Sequence, residues 1–297
     1  MDRRRFLKTA AISSIGLSFP SLDPLCAFGA SPPDLAVAQG PSPEKIVRAA
    51  VDALGGIKRF VSRGDVVVVK PNIAWDRVPE QAANTNPEVV AAVVKLCFEA
   101  GARSVKVFDR PVNDPRRCYV QSGIESAAKS AGADVSHMDE RKFKEMAING
   151  RALTTWPLYT EVFEADKVIN VPIAKHHGLG KLSMSMKNWM GIMGGSRRMI
   201  HQKIDESLVD LAMKVKPTLT VLDAVRILTA NGPQGGDLKD VKQIDTVVVG
   251  TDQVAIDSYG ATLFGMQGSD LGYVRIAAEH KFGVMDLKKL NIRKIQV

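Results

Sequence analysis

Between Val168 and His201 the chain reads VINVPIAKHHGLGKLSMSMKNWMGIMGGSRRMIH. Lys175, His176, His177, Lys181, Lys187, Asn188, Arg197, Arg198 and His201 all fall in it, and Lys167 to Ile204 holds no carboxylate. Lysine and arginine bind carboxylate or phosphate through charge-assisted hydrogen bonds. Imidazole titrates near working pH and serves as a general base. Lys70, Asn72, Arg110, Lys175 and Asn188 therefore read as binding groups for a small anionic substrate, and His176 or His177 as the base. Lys187 suits a second base, a covalent tether or an anion clamp, and Asp109 joins the catalytic candidates. Glycines 178, 180, 191, 194 and 195 separate these groups and let the backbone approach a ligand closely.

Metal binding is a competing use of the same residues. His176, His177 and His201 with Asp109 or Asp223 suit a nitrogen/oxygen site. His201, Asp223 and Asp252 are the candidate metal ligands, in a spacing that matches no recognised zinc pattern. Asp223 and Asp252 equally suit orientation of the cations, or capping of helices. Methionines 184, 186, 190, 193 and 199 suit flexible packing around a pocket, with copper ligation the alternative. Cys26, Cys97 and Cys118 form no CxxC pair and no iron–sulfur run. The cofactor is thus undetermined, a metal ion included, with no iron–sulfur cluster motif.

These groups need a scaffold, and the apolar pattern supplies one. Short β-branched runs predict strands at 65–70, 104–108, 167–171, 218–222 and 246–249, a weak one at 133–137 and an edge strand at 292–297. Helical periodicity marks 43–61, 87–100, 122–131, 205–214, 253–264 and 270–279, with Asn86 a cap for the second. Alternating strands and helices predict an α/β fold, a mostly parallel sheet with helices on both faces. After Pro172 the chain reads as a basic, glycine-rich loop. The strands end in Lys70-Pro71-Asn72, Asp109-Arg110, Lys175-His176-His177, Asp223 and Thr251-Asp252. Ligands of open α/β sheets bind beyond the carboxyl ends of strands, so the five ends predict one composite site.

With 297 residues, 45% hydrophobic, the chain can bury a sizeable core, and a net charge of +8 favours anionic partners. It carries no RNA-module motif and no basic run interleaved with aromatics, so nucleic acid is not expected as a partner. Residues 2–8, DRRRFLK, resemble a twin-arginine export signal: Arg3 and Arg4 match the pair, and Phe6, Leu7 and Lys8 the residues after the spacer. A modest apolar stretch follows, and Ala27-Phe28-Gly29 resembles a signal-peptidase site. The resemblance implies a signal peptide at 1–29, passage through the twin-arginine translocase, and residence in the periplasm or cell envelope. Membrane contact is then through the leader alone, if it stays uncleaved. Residues 30–43 read as a flexible linker and 44–297 as a single α/β domain.

Seven segments together resemble the family called domain of unknown function 362. They are VVVKPN (67–72), GARSVKVFDRP (101–111), VINVPIAKHHG (168–178), MKNWMGIMGG (186–195), His201, DAVRILTANGPQGG (223–236) and GTDQVAID (250–257). Many relatives carry an added ferredoxin module that this sequence lacks, and the family name implies no reaction. A second, architectural resemblance is to the nickel-pincer lactate racemases. His177, Lys187 and His201 stand in an order comparable to that family's histidine, cofactor-tethering lysine and metal-ligating histidine. The glycine-glycine-arginine before that lysine is absent here, and Asp109-Arg110 stands where an acid/base histidine is expected. Three readings follow: an enzyme acting on a small carboxylate or phosphate, an envelope protein binding an anion or metal without turnover, and a pincer-dependent racemase-like or redox catalyst.

Overall fold

The computed structural model describes residues 31–297. The expected export leader and Cys26 lie outside the described residues. The strands are β1 (Leu35–Gln39), β2 (Val66–Pro71), β3 (Ser104–Val107), β4 (Asp134–Val135), β5 (Phe143–Ala147), β6 (Thr155–Tyr159), β7 (Lys167–Val171), β8 (Ile173–His177), β9 (Lys181–Ser183), β10 (Leu219–Leu228), β11 (Val241–Gly250) and β12 (Ile292–Gln296). The helices are α1 (Pro43–Ala53), α2 (Pro87–Glu99), α3 (Pro115–Gln121), α4 (Ile124–Ser130), α5 (Glu161–Glu164), α6 (Ser185–Asn188), α7 (Ile204–Lys214), α8 (Gln253–Thr262) and α9 (Gly272–Glu279).

Ten strands form one sheet in the order β12-β1-β11-β10-β7-β2-β3-β4, with β8 on β10 and β9 on β8. β11 runs antiparallel to both β1 and β10, and β9 antiparallel to β8; the other pairings are parallel. β5 and β6 pair as a separate hairpin. Because side chains alternate along a strand, each strand feeds two cores. Val67, Val69, Val105, Val107, Ile169 and Val221 pack against α1, α2 and α4. Val68, Val168, Leu222 and Val248 pack against α7, α8 and α9. The result is an α/β fold with a mostly parallel mixed sheet between two helical layers, as the apolar pattern requires. No helix among the described residues is long and apolar enough to cross a membrane.

Four expectations change. The expected linker at 30–43 contains β1, a buried strand between β11 and β12; LAVAQ is short and flanked by proline and serine, so only its sheet neighbours reveal it. The first helix stops at Ala53, and Gly55 and Gly56 turn the chain with positive φ, which glycine adopts without a Cβ penalty. The stretch between β3 and the helix expected at 122–131, to which the apolar pattern assigns no element, holds α3, capped by Asp114 through the Arg116 and Arg117 amides. The chain past Pro172 does not stay a loop. Pro172 ends β7, its carbonyl accepts from the Asp223 amide, and β8 then pairs with the far half of β10. β10 is therefore twice the expected length, and Asp223 lies inside it rather than at its end.

Candidate active site

Three buried lysines define the site, and each meets a different environment. Lys70 lies opposite Asn170 in the β2–β7 register, so both side chains leave the same sheet face. Its Nζ pairs with Asp109 Oδ1 at 2.7 Å and donates to Pro71 O at 2.8 Å and Asn188 Oδ1 at 3.1 Å. Those acceptors saturate the three hydrogens of an ammonium. Asp109 follows β3 and takes further bonds from the Ile73 and Arg110 amides. Gly191 covers the pair, and a Cβ there would overlap Asp109 Oδ1. Lys70 and Asp109 therefore form the floor of the site, without a free donor for substrate.

Lys175 on β8 donates to Asn72 Oδ1 at 3.0 Å and to Ala83 O, which leaves it one hydrogen. Lys187 on α6 is freer still. Among the described residues its sole hydrogen-bond partner is Met190 Sδ at 3.0 Å, a weak acceptor. Neither amine forms an ion pair with a carboxylate among the described residues. Burial pulls the pKa of Lys175 down to about 7, with the Lys187 charge adding to the effect. Burial, with Arg197 beside it, does the same for Lys187.

Asn188 ties these parts together. It donates to Asn170 Oδ1 at 2.8 Å and Lys70 O at 3.2 Å, and accepts from Asn72 Nδ2 at 3.1 Å. The segment carrying Lys187 and Asn188 is anchored from below. Asp257 of α8, wholly buried, accepts the Ser185 amide at 2.7 Å and the Met186 amide at 3.0 Å.

Asn72, Asp109, Arg110, Lys175, His177, Lys187, Asn188 and His201 line one cavity of about 430 Å³. Such a volume suits a small molecule. The strand alternation of β8 splits the histidine pair. His177 lines the cavity and His176 does not; His176 lies in a neighbouring groove that His177 also borders, with Thr229 and Lys242, and its Nδ1 accepts the Gly232 amide. His176 is thus removed from the catalytic set.

His177 changes role as well. Its Nδ1 accepts the Gly180 amide at 3.0 Å and the Leu179 amide at 3.2 Å. Burial, followed by the Lys187 and Lys175 charges, lowers its pKa to about 3. The ring is neutral at pH 7 with its proton on Nε2, so it is a hydrogen-bond donor in place of the expected base. His201 stacks on it, ring centroids 6.3 Å apart, and its Nδ1 lies 3.3 Å from Arg198 O. A carbonyl only accepts, so Nε2 of His201 keeps a lone pair.

The expected metal set does not assemble. Asp223 is buried in β10, where its oxygens accept the Asn86 and Val225 amides, and burial raises its pKa to about 6. Asp252 caps α8 through the Val254 and Ala255 amides and also accepts from Val284. Among the described residues no group of three or more His, Cys, Asp or Glu side chains is arranged to hold a metal ion. Arg110 lines the cavity, and three of its five N–H groups go to Met193 O, Gly195 O and Glu140.

Sequence reasoning missed Asn170, Asp257 and Arg197 as site-builders. Arg197 donates to Arg110 O and Pro111 O and so ties the segment after α6 to the loop after β3. Asn170 carried a usable signal, since a polar residue within an apolar strand needs a partner.

Replacing Lys70 with Met should leave Asp109 buried without its cation and cost about 3–5 kcal/mol in urea unfolding. Joint replacement of Lys70 by Met and Asp109 by Leu should cost less than the sum of the single changes. Additive costs would remove the pair from the centre of the site.

Comparison with known proteins adds three findings. A family model described as Domain of unknown function (DUF362) matches residues 67–262. A Synechocystis sp. protein described as thylakoid-associated is 28% identical over 203 residues, 66% of this chain and 62% of that one. The lactate racemase apoprotein of Thermoanaerobacterium thermosaccharolyticum aligns with a TM-score of 0.45 and 11% identity, over 71% of this chain and 53% of that one. The chain thus spans less than two thirds of the length of either relative. The family match takes in β2 to α8, and with them every residue of the lysine-lined cavity: the chain belongs to the family of domain of unknown function 362.

Proposed function

We propose that the protein is an enzyme acting on a small carboxylate- or phosphate-bearing substrate, with Lys187 as its proton-transferring group. The observation that carries this reading is the Lys187 amine: buried in a small cavity, bonded to a thioether, and able to exist neutral near pH 7. A pure anion trap has no use for an amine that gives up its charge. A catalyst does, because a base with a pKa near working pH exchanges protons with substrate most effectively. The remaining hydrogen of Lys175 and the proton on His177 Nε2 would bind the substrate's oxygens.

Binding is expected to be proton-linked. An anion beside Lys175 and Lys187 favours their charged forms and raises their depressed pKa values. Above pH 7 the free protein holds these amines partly neutral, so binding takes up protons, and affinity falls as pH rises. Calorimetry at pH 8 with inorganic phosphate and propionate, in buffers of differing ionisation enthalpy, should show that uptake, and Lys187→Met should reduce it. Absence of saturable binding by either class of anion would sink the reading.

A second reading rests on the convergence of His177, Lys187 and His201 on one cavity. Lys187 would carry the covalent link of a nickel pincer, and the His201 lone pair would meet the metal. Such a group, when bound, supplies a metal centre that exchanges hydride with substrate carbon. Intact mass and metal analysis of protein purified from its own cells would show added mass on Lys187 with one nickel per chain. A bare polypeptide would dismiss it.

Export by the twin-arginine route to the periplasm or envelope belongs to the same proposal, on the strength of the DRRRFLK run. Cell fractionation should find the protein outside the cytoplasm, and replacement of Arg3 and Arg4 by Lys should retain it inside. An unchanged distribution would refute the export signal.

A further inference from the structure

The geometry points to a covalent role for Lys187: we propose that its amine condenses with the carbonyl of a 2-oxo acid to form an imine in the cavity. The inference deepens the reading of an anion-handling enzyme by naming the substrate class. It rests on that reading for the carboxylate half of the ligand alone.

Three features of the cavity favour imine formation. The first is a nucleophile with an available lone pair. Lysines are ordinarily held as ammonium by a carboxylate or by several strong acceptors, as Lys70 is here. Lys187 meets a sulfur alone, while Arg197 and Lys175 repel its charged form. Desolvation beside other cations activates an amine toward carbonyl carbon.

The second feature is a proton source near that nucleophile. The Lys187 Cε and the His177 Nδ1 both lie close to Gly180, 3.6 and 3.7 Å from where a Cβ on that residue would stand. With Nδ1 occupied by backbone amides, His177 keeps its proton on Nε2. Lysine end and imidazole therefore share one neighbourhood beside Gly180.

The third feature is cation excess for the carboxylate. Lys175 lines the cavity with one unspent hydrogen, and Arg110 and Arg197, each with three acceptors for five N–H groups, add positive charge to the same lining. Among the described residues the one carboxylate in the lining, Asp109, is already matched by Lys70. A 2-oxo acid sets a carbonyl beside a carboxylate, which matches a free amine beside unspent cations.

The step balances without a redox partner. The Nζ lone pair adds to the carbonyl carbon, and the carbonyl π pair moves to oxygen, which takes a proton. The resulting carbinolamine then loses that oxygen as water. The two hydrogens of the amine leave with it, and a carbon–nitrogen double bond replaces the carbon–oxygen one.

The test is reductive trapping of the full chain with pyruvate and sodium borohydride, whose hydride reduces the imine to a stable secondary amine. Intact mass should show one reduced pyruvate adduct per chain, and peptide mapping should place it on Lys187. Adduct formation should rise with pH through about 7, following loss of the Lys187 proton. Lys187→Met should abolish it, with thermal melting confirming the fold; mapping of the unaltered chain locates the adduct independently of the variant. No adduct, or adducts spread over surface lysines, would overturn the proposal. Propionate, which lacks the carbonyl, separates the two claims. Stabilisation by propionate without a pyruvate adduct leaves the anion site standing and rejects the imine; neither effect rejects both.

Discussion

A lysine ammonium fully withdrawn from water must find three acceptors or lose its proton, and the geometry of this site follows from how one lysine meets that demand. Lys70 takes Asp109, Asn188 and its own strand's Pro71 carbonyl. Burial of an ion pair recovers its desolvation cost only when the remaining hydrogen-bonding capacity is also filled. Asp109 fills its own with the Ile73 and Arg110 amides, and Asn188 passes the chain of bonds on to Asn72 and Asn170. One ion pair thus ties β2, the loop after β3, β7 and α6 into a rigid floor.

That floor has an electrostatic consequence for what stands on it. With Asp109 matched by Lys70, no carboxylate among the described residues pairs with Lys175 or Lys187, and both amines are buried. Their ammonium forms become expensive, and both drift toward neutrality near pH 7. Burial, with the same positive surroundings, keeps His177 neutral, and the two amides donated to its Nδ1 leave the proton on Nε2 as a donor. Burial therefore sets the division of labour among lysines and histidine, and the Lys70–Asp109 pair decides which lysine is matched by a carboxylate. Asp257 acts from the opposite side, clamping the amides at the start of α6 so that Lys187 enters the cavity from a fixed point.

The tail end of the sheet shows how far the scaffold departs from a simple alternating fold. β1 and β12 extend the sheet past β11, and the antiparallel β10–β11 ribbon reaches beyond the point where β7 stops. β8 and β9 dock on that extension, which turns a basic stretch into a short, ordered sheet. Ordered backbone at this place matters, since a strand aims successive side chains at opposite faces and a loop does not. Of His176 and His177, adjacent in the chain, His177 alone consequently reaches the lysine-lined cavity.

The residue pattern by itself determined the layer architecture. Val66 to Val69 and, Asn170 apart, Val168 to Val171 are too apolar to face water on either side, and helices must cover both. It determined the neighbourhood of the site too, because Lys70, Asp109 and Lys175 close or follow strands whose ends share one edge. The tertiary structure decided the roles. Whether Lys70 is a ligand-binding cation or a spent one depends on an acceptor 118 residues away at Asn188. Whether Asp223 binds a metal or holds the Asn86 amide depends on a partner 137 residues off. The linker that proved to be β1, and the loop that proved to be β8, had the same cause. Short segments of weak periodicity take their form from long-range pairing, and proton positions follow from contacts that no local spacing encodes.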